Sequence, residues 1–220
     1  MPDLIIFKIL GVLGALLLLE TIIMLAARQM RGLIRLYAVH SLLLAACAAI
    51  VGYSTGAYHL YLVAGLTLLV KTLAIPYALE RVIHDTVLEK REINFIFGVP
   101  FSLLIGGLLS LLAYLTSVRL VYPGDTLASL MLPVGTAVAL LGLFIMIGRL
   151  EAVPQIAGLL VMENGIILIA VVAAFGLPLL AEFGLFLDIL VGALLLGILV
   201  MRLQRHAGTT ASGNLRKLVG

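Results

Sequence analysis

Apolar residues run through this chain in blocks long enough to cross a bilayer, about 20 residues each, and polar residues gather in the breaks between them. The pattern predicts seven helices, at 5–27, 34–53, 59–80, 95–117, 127–148, 153–175 and 182–203. The intervening stretches, "RQMRGLIR", "GYSTGAYH", "ERVIHDTVLEKRE", "VRLVYPGDT", "GRLEAVP" and "FGLPLLAEF", carry the Gly, Pro and charge that end helices. The first block lacks a basic front and a small-residue cleavage site, so it reads as a retained span. The fold class expected is an all-α integral membrane protein of about seven transmembrane helices.

Composition narrows this further. With 63% hydrophobic and 11% charged residues, a soluble domain of 220 residues has no way to hide its apolar surface. Basic residues follow the first span (Arg28, Arg31, Arg35), the third (Arg81, Lys90, Arg91), the fifth (Arg149) and the seventh (Arg202, Arg205, Arg216, Lys217). The opposite side has only Lys8 and Arg119. This asymmetry places the N-terminus outside and the C-terminus in the cytoplasm. The net charge of +3 resides in loops and calls for no nucleic acid. The single Cys47 excludes an intramolecular disulfide. There is no Cys/His metal set, phosphate-binding Gly loop or nucleophile–base pattern, so no catalytic site is expected in this chain.

Segments 35–50 and 158–173 both follow a basic turn, and a gapless alignment sets His40 opposite Glu163. If this is a repeat, spans one to three match spans five to seven. The organisation expected is a three-helix unit with its loop at 1–94, a linking helix at 95–125, a second three-helix unit at 126–205 and a polar tail at 206–220.

Candidate chemistry lies in the few polar residues at membrane depth. A charge facing lipid costs at least about 2.5–3.5 kcal/mol, so these residues face helices or water. Glu163 is central in the sixth span, Asp188 lies on the seventh and Lys71 is central in the third, with Glu20 and His40 on the first two. Each reads as a proton-relay or coupling group, because a carboxyl, amine or imidazole at that depth can take up and release a proton. Each also reads as structural glue, with Lys71 ion-paired to Glu20 or another carboxylate. Asn164 does not titrate and reads as a helix contact, as do Gly192 and Gly197. Pro76, just after Lys71, is expected to kink its helix. Arg149 and Glu151 read as topological anchors of a tight turn.

The stretches "LEAVPQIAGLLVMENGIILIAVVAAFGLP", "FLDILVGALLLGILVMRL", "NLRKLVG" and "LLVKTLAIPYAL" resemble component E of the hydrogenase-4 type formate hydrogenlyases. The last three spans are also similar to the K subunit of respiratory complex I and the C subunit of multisubunit Na⁺/H⁺ antiporters. Those subunits carry a Glu in a G-L-E-x-x-x-N pattern. Here Gly158, Leu159 and Asn164 are kept, Leu160 takes the Glu position, and the carboxylate appears at Glu163, three residues along nearly the same helix face. Asp188 corresponds to the acidic residue of the next helix.

The resemblance implies a non-catalytic membrane subunit in a prokaryotic cytoplasmic membrane. Its implied partners are antiporter-like subunits, the membrane anchor of a redox module and cytoplasmic hydrogenase subunits. The [NiFe] and iron–sulfur cofactors would sit in those partners. Two other readings stay open: a purely structural adaptor, and a transporter or antiporter subunit with no hydrogenase.

Overall fold

The computed structural model describes residues 2–84, 93–121 and 125–173. The expected seventh span, with Asp188, Gly192 and Gly197, lies outside the described residues, as do the tail and positions 85–92 of the long loop. Six helical spans among the described residues are long and apolar enough to cross a membrane. They are α1 (Pro2–Ala26), α2 (Met30–Thr55), a composite third span, α5 (Val99–Leu120), α6 (Thr126–Ile147) and α7 (Ala152–Ala173). The composite span runs through α3 (His59–Leu66), a π-helical segment (Thr67–Ala74) and α4 (Ile75–His84) without a break.

Helix ends follow from local chemistry. Gly56 closes α2 in the left-handed region, φ 70°, where a residue without Cβ is unstrained. Asp125 caps α6, its carboxylate accepting from the Ala128 amide at 2.9 Å. In the third span Pro76 has no N–H, and its ring crowds the preceding turn. Ahead of it the backbone widens, and the Ile75 amide bonds the Val70 carbonyl five residues back.

Three breaks meet at one end of the bundle. The Ile93 amide donates to the Arg28 carbonyl at 2.8 Å, and the Ile96 amide to the Gly148 carbonyl at 3.1 Å. Asn94 donates to Glu151 through its backbone amide at 3.0 Å and its side chain at 2.6 Å. Arg149 is buried there. Its Nη2 donates to the Met24 and Leu25 carbonyls at 3.1 and 2.9 Å, and its guanidinium lies 3.7 Å from the centre of the Phe95 ring. It thereby satisfies carbonyls at the C-terminus of α1, where a cation is favoured. Burial lowers the Arg149 pKa to about 10 and Glu151 acts to raise it, so the guanidinium is cationic at neutral pH. The anchor expected at this turn is an internal clamp.

The tightest packing joins α6 to α7. A Cβ on Gly142 would strike the Met162 backbone, one on Gly158 the Met146 backbone, and one on Gly165 the Ala139 backbone. One on Gly135 would meet Ile169 at 2.8 Å. Glycines seven residues apart on both antiparallel helices thus form a seam where the main chains touch, as small residues permit in membrane interiors.

Among the described residues two apolar cores fill the bundle. One lies toward the clamp and includes Met24, Leu33, Tyr37, Ile75, Leu79, Leu141, Leu160 and Val161. The other lies toward the opposite end and includes Leu10, Leu17, Leu44, Cys47, Leu60, Ala64, Ile167 and Leu168.

Candidate functional site

Between the two cores lies a layer of polar side chains. On α1, Thr21 separates Leu17 of one core from Met24 of the other. On α2, His40 and Ser41 separate Tyr37 from Leu44. In the third span Thr67 and Lys71 fall between Ala64 and Ile75. On α7, Glu163 and Asn164 fall between Val161 and Ile167. All of these are buried, with Lys71 only 1% exposed and Glu163 2%. Four spans therefore turn from one apolar core to the other at the same level, and that level is polar.

The layer is connected. Lys71 Nζ lies 2.8 Å from Glu163 Oε1, an ion pair removed from solvent. The same Nζ donates to Asn164 Oδ1 at 3.1 Å. Asn164 Nδ2 lies 3.2 Å from His40 Nδ1 and donates to Ser41 Oγ at 3.2 Å. His40 Nε2 lies 3.1 Å from Thr21 Oγ1, whose hydroxyl donates to the Leu17 carbonyl at 2.7 Å. Side-chain contacts thus lead from the third span through α7 and α2 to α1.

Local structure positions each group. The π-helical segment carries Lys71 inward toward α7, and Thr72 Oγ1 donates to the Thr67 carbonyl at 3.4 Å in the same wide turn. Leu160, where the K-like pattern has its Glu, is packed in the apolar core nearer the clamp. One helical turn further on, Glu163 meets the lysine. The gapless alignment that pairs His40 with Glu163 also pairs Ser41 with Asn164, and those two side chains are hydrogen-bonded.

Of the residues singled out in the sequence, Lys71, Glu163, Asn164 and His40 come together. Asn164 touches three partners at once. Glu20 does not join them: it is 8% exposed, and its Oε2 is buried without a hydrogen-bond partner among the described residues. Asp188, Gly192 and Gly197 lie outside the described residues. Thr21 and Ser41 are additional members. Their signal in the sequence is slight, a hydroxyl next to an already conspicuous Glu20 or His40. Among the described residues no cluster of three His, Cys, Asp or Glu is placed to hold a metal ion.

Chemically, the layer keeps a buried cation and a buried anion in contact. A proton crossing the 2.8 Å between Nζ and Oε1 would leave two neutral groups.

No family model matches the chain, and no solved structure matches it. The uncharacterized protein Rv0085 of Mycobacterium tuberculosis is 33% identical over 204 residues, which is 92% of each chain. The chain belongs to the family of that protein. Hydrogenase-4 component E of Escherichia coli K12 is a more distant homologue, 26% identical over 211 residues, 94% of this chain and 96% of the relative. The same protein of Shigella flexneri matches equally. The resemblance seen in "MENG" and the third-span lysine thus extends along most of the chain as distant homology, and a multi-pass helical bundle accompanies it.

Proposed function

We propose that this chain is a non-catalytic membrane-arm subunit of a complex-I-like membrane-bound [NiFe]-hydrogenase or formate hydrogenlyase. Its buried polar layer would be a section of the ion-coupling path between the redox module and antiporter-like subunits. Homology to a hydrogenase-4 membrane component supports the membership. The observation that carries the role is the Lys71–Glu163 pair, continued by Asn164 and His40, held at mid-span between two apolar cores. Ionisable groups at that depth are costly and mark ion pathways. Coupled groups also pass charge along, because changing one shifts its neighbour's proton affinity.

In this reading the N-terminus faces outward and the C-terminus the cytoplasm of a prokaryote. The last three spans form a unit like the complex I K subunit, with Asp188 continuing the path. The electron-carrying [NiFe] and iron–sulfur groups belong to the partners, whose antiporter-like members move H⁺ or Na⁺.

The test is purification of a tagged copy from native membranes in mild detergent, with mass spectrometry of what accompanies it. Stoichiometric antiporter-like subunits with a [NiFe] or iron–sulfur module are expected. Recovery alone, or with antiporter subunits only, would overturn the hydrogenase assignment. Within the purified complex, Glu163→Gln then separates path from adaptor. The path reading expects assembly intact and ion pumping lost, whereas pumping at the original rate would leave the polar layer as helix glue.

A further inference from the structure

The polar layer fixes where its protons sit. An ammonium has donors and no acceptor, so the atom that Asn164 turns to Lys71 at 3.1 Å has to be the carbonyl Oδ1. The amide NH₂ is then forced toward α2, where its two hydrogens meet Ser41 Oγ and His40 Nδ1, both at 3.2 Å. A nitrogen receiving a hydrogen carries none of its own, so Nδ1 is bare. At the other side of the ring the Thr21 hydroxyl spends its hydrogen on the Leu17 carbonyl at 2.7 Å, leaving its oxygen to accept from Nε2. His40 is therefore neutral, with its hydrogen on Nε2.

We infer that Asn164 is a positioning residue through which the charge on Lys71 sets the proton position of His40. While Lys71 is an ammonium the amide cannot turn over. Once Lys71 has passed a proton to Glu163 Oε1, 2.8 Å away, its nitrogen accepts as well as donates, and the reversed amide becomes equally satisfiable. Oδ1 then faces Nδ1, which carries the hydrogen, and Nε2 accepts from a Thr21 hydroxyl turned away from Leu17. With Glu163 counted, the two arrangements hold the same number of protons: one lies on Glu163 in place of Lys71, and the ring hydrogen is on Nδ1 in place of Nε2. Among the described residues, the charged groups facing this ring from packed elements are Lys71 on the π-helical segment and, behind it, Glu163 on α7. From α1 it meets the Thr21 hydroxyl, with Glu20 one position earlier.

This deepens the coupling-path reading and rests on it for its functional meaning alone. The test is read on resting protein, so its failure is separate from a failure to pump. The full chain, carrying ¹⁵N-ring-labelled histidine, is placed in lipid nanodiscs, and the His40 nitrogens are assigned by their loss in His40→Gln. Wild type is expected to show hydrogen on Nε2 and none on Nδ1; the opposite tautomer or an imidazolium overturns the inference without any variant.

Asn164→Asp keeps the shape but replaces the donor with an oxygen, and is expected to move hydrogen onto Nδ1. Lys71→Met is expected to shift the tautomer ratio toward Nδ1–H by at least about tenfold, the worth of one hydrogen bond to a charged group. Lys71→Met made on an Asn164→Leu background is expected to cause no such shift. An unmoved ratio in Asn164→Asp, or an equal response to Lys71→Met with and without the amide, would reduce Asn164 to a packing residue.

Discussion

Lys71 is a cation 1% exposed, so its stability depends on the residues across the helix interface. Losing one member of a buried ion pair leaves the other uncompensated and costs about 3–5 kcal/mol, whereas replacing both with apolar groups is close to neutral. Lys71→Met and Glu163→Leu are each expected to lower the thermal aggregation midpoint in detergent, by about 2–4 °C per kcal/mol in a chain of this size. The double variant is expected to regain most of that loss. Single variants that melt with wild type would show that the pair does not hold the bundle together. Arg149 shows the same logic outside the spans. Its cation is retained well above neutrality, so the penalty of Arg149→Met is expected to be constant between pH 5 and 8 in the same assay. A penalty that fades across that range would mean that the clamp is not the guanidinium.

At the scale of elements, the α6–α7 seam makes the clearest demand. Gly142→Ala and Gly158→Ala put a methyl group into the facing backbone, and overpacking of this kind costs about 1–3 kcal/mol. Gly107→Ala, on α5 with nothing within 4 Å of the added carbon, is the control and is expected to be neutral or slightly stabilising. Equal midpoints for all three would remove the seam. Six of the expected spans were legible in the sequence, because hydropathy alone marks what a bilayer accepts; the runs read at 127–148 and 153–175 correspond to Thr126–Ile147 and Ala152–Ala173. The seam was less so. Glycines 135, 142, 158 and 165 stand in plain view, but their meaning depends on which helix faces which. The same applies to Lys71, whose possible carboxylates included Glu20: hydropathy says that it needs a partner, and only packing says that Glu163 supplies it. The π-helical turn was hidden for a related reason. Pro76 announces a disturbance, and the sequence does not say that it takes the form of a wide turn.

For the whole molecule, the breaks at 27–29, 93–98 and 148–151 share one end of the bundle. Because Cys47 is the only cysteine and is buried, single cysteines can be introduced against a silent background. Gln29→Cys and Leu150→Cys are expected to react with a membrane-impermeant maleimide from the cytoplasmic side, and Tyr58→Cys and Asp125→Cys from the other. Mixed labelling within either set would break the alternating topology, and a clean reversal would keep the bundle but invert its orientation. The polar layer has a further consequence, in time. Lys71 and its partners on α7 lie about 93 positions apart along the chain. At about 5–20 residues per second of synthesis, the lysine waits roughly 5–20 s for them to be made. During that interval the growing protein has this charge without its Glu163 and Asn164 partners. A chain stopped at residue 150 is expected to be degraded faster in a pulse-chase than the same fragment carrying Lys71→Leu, and equal lifetimes would show that the lysine is tolerated alone. Completion of α7 would then be the moment at which the cell can tell a finished copy from an abandoned one.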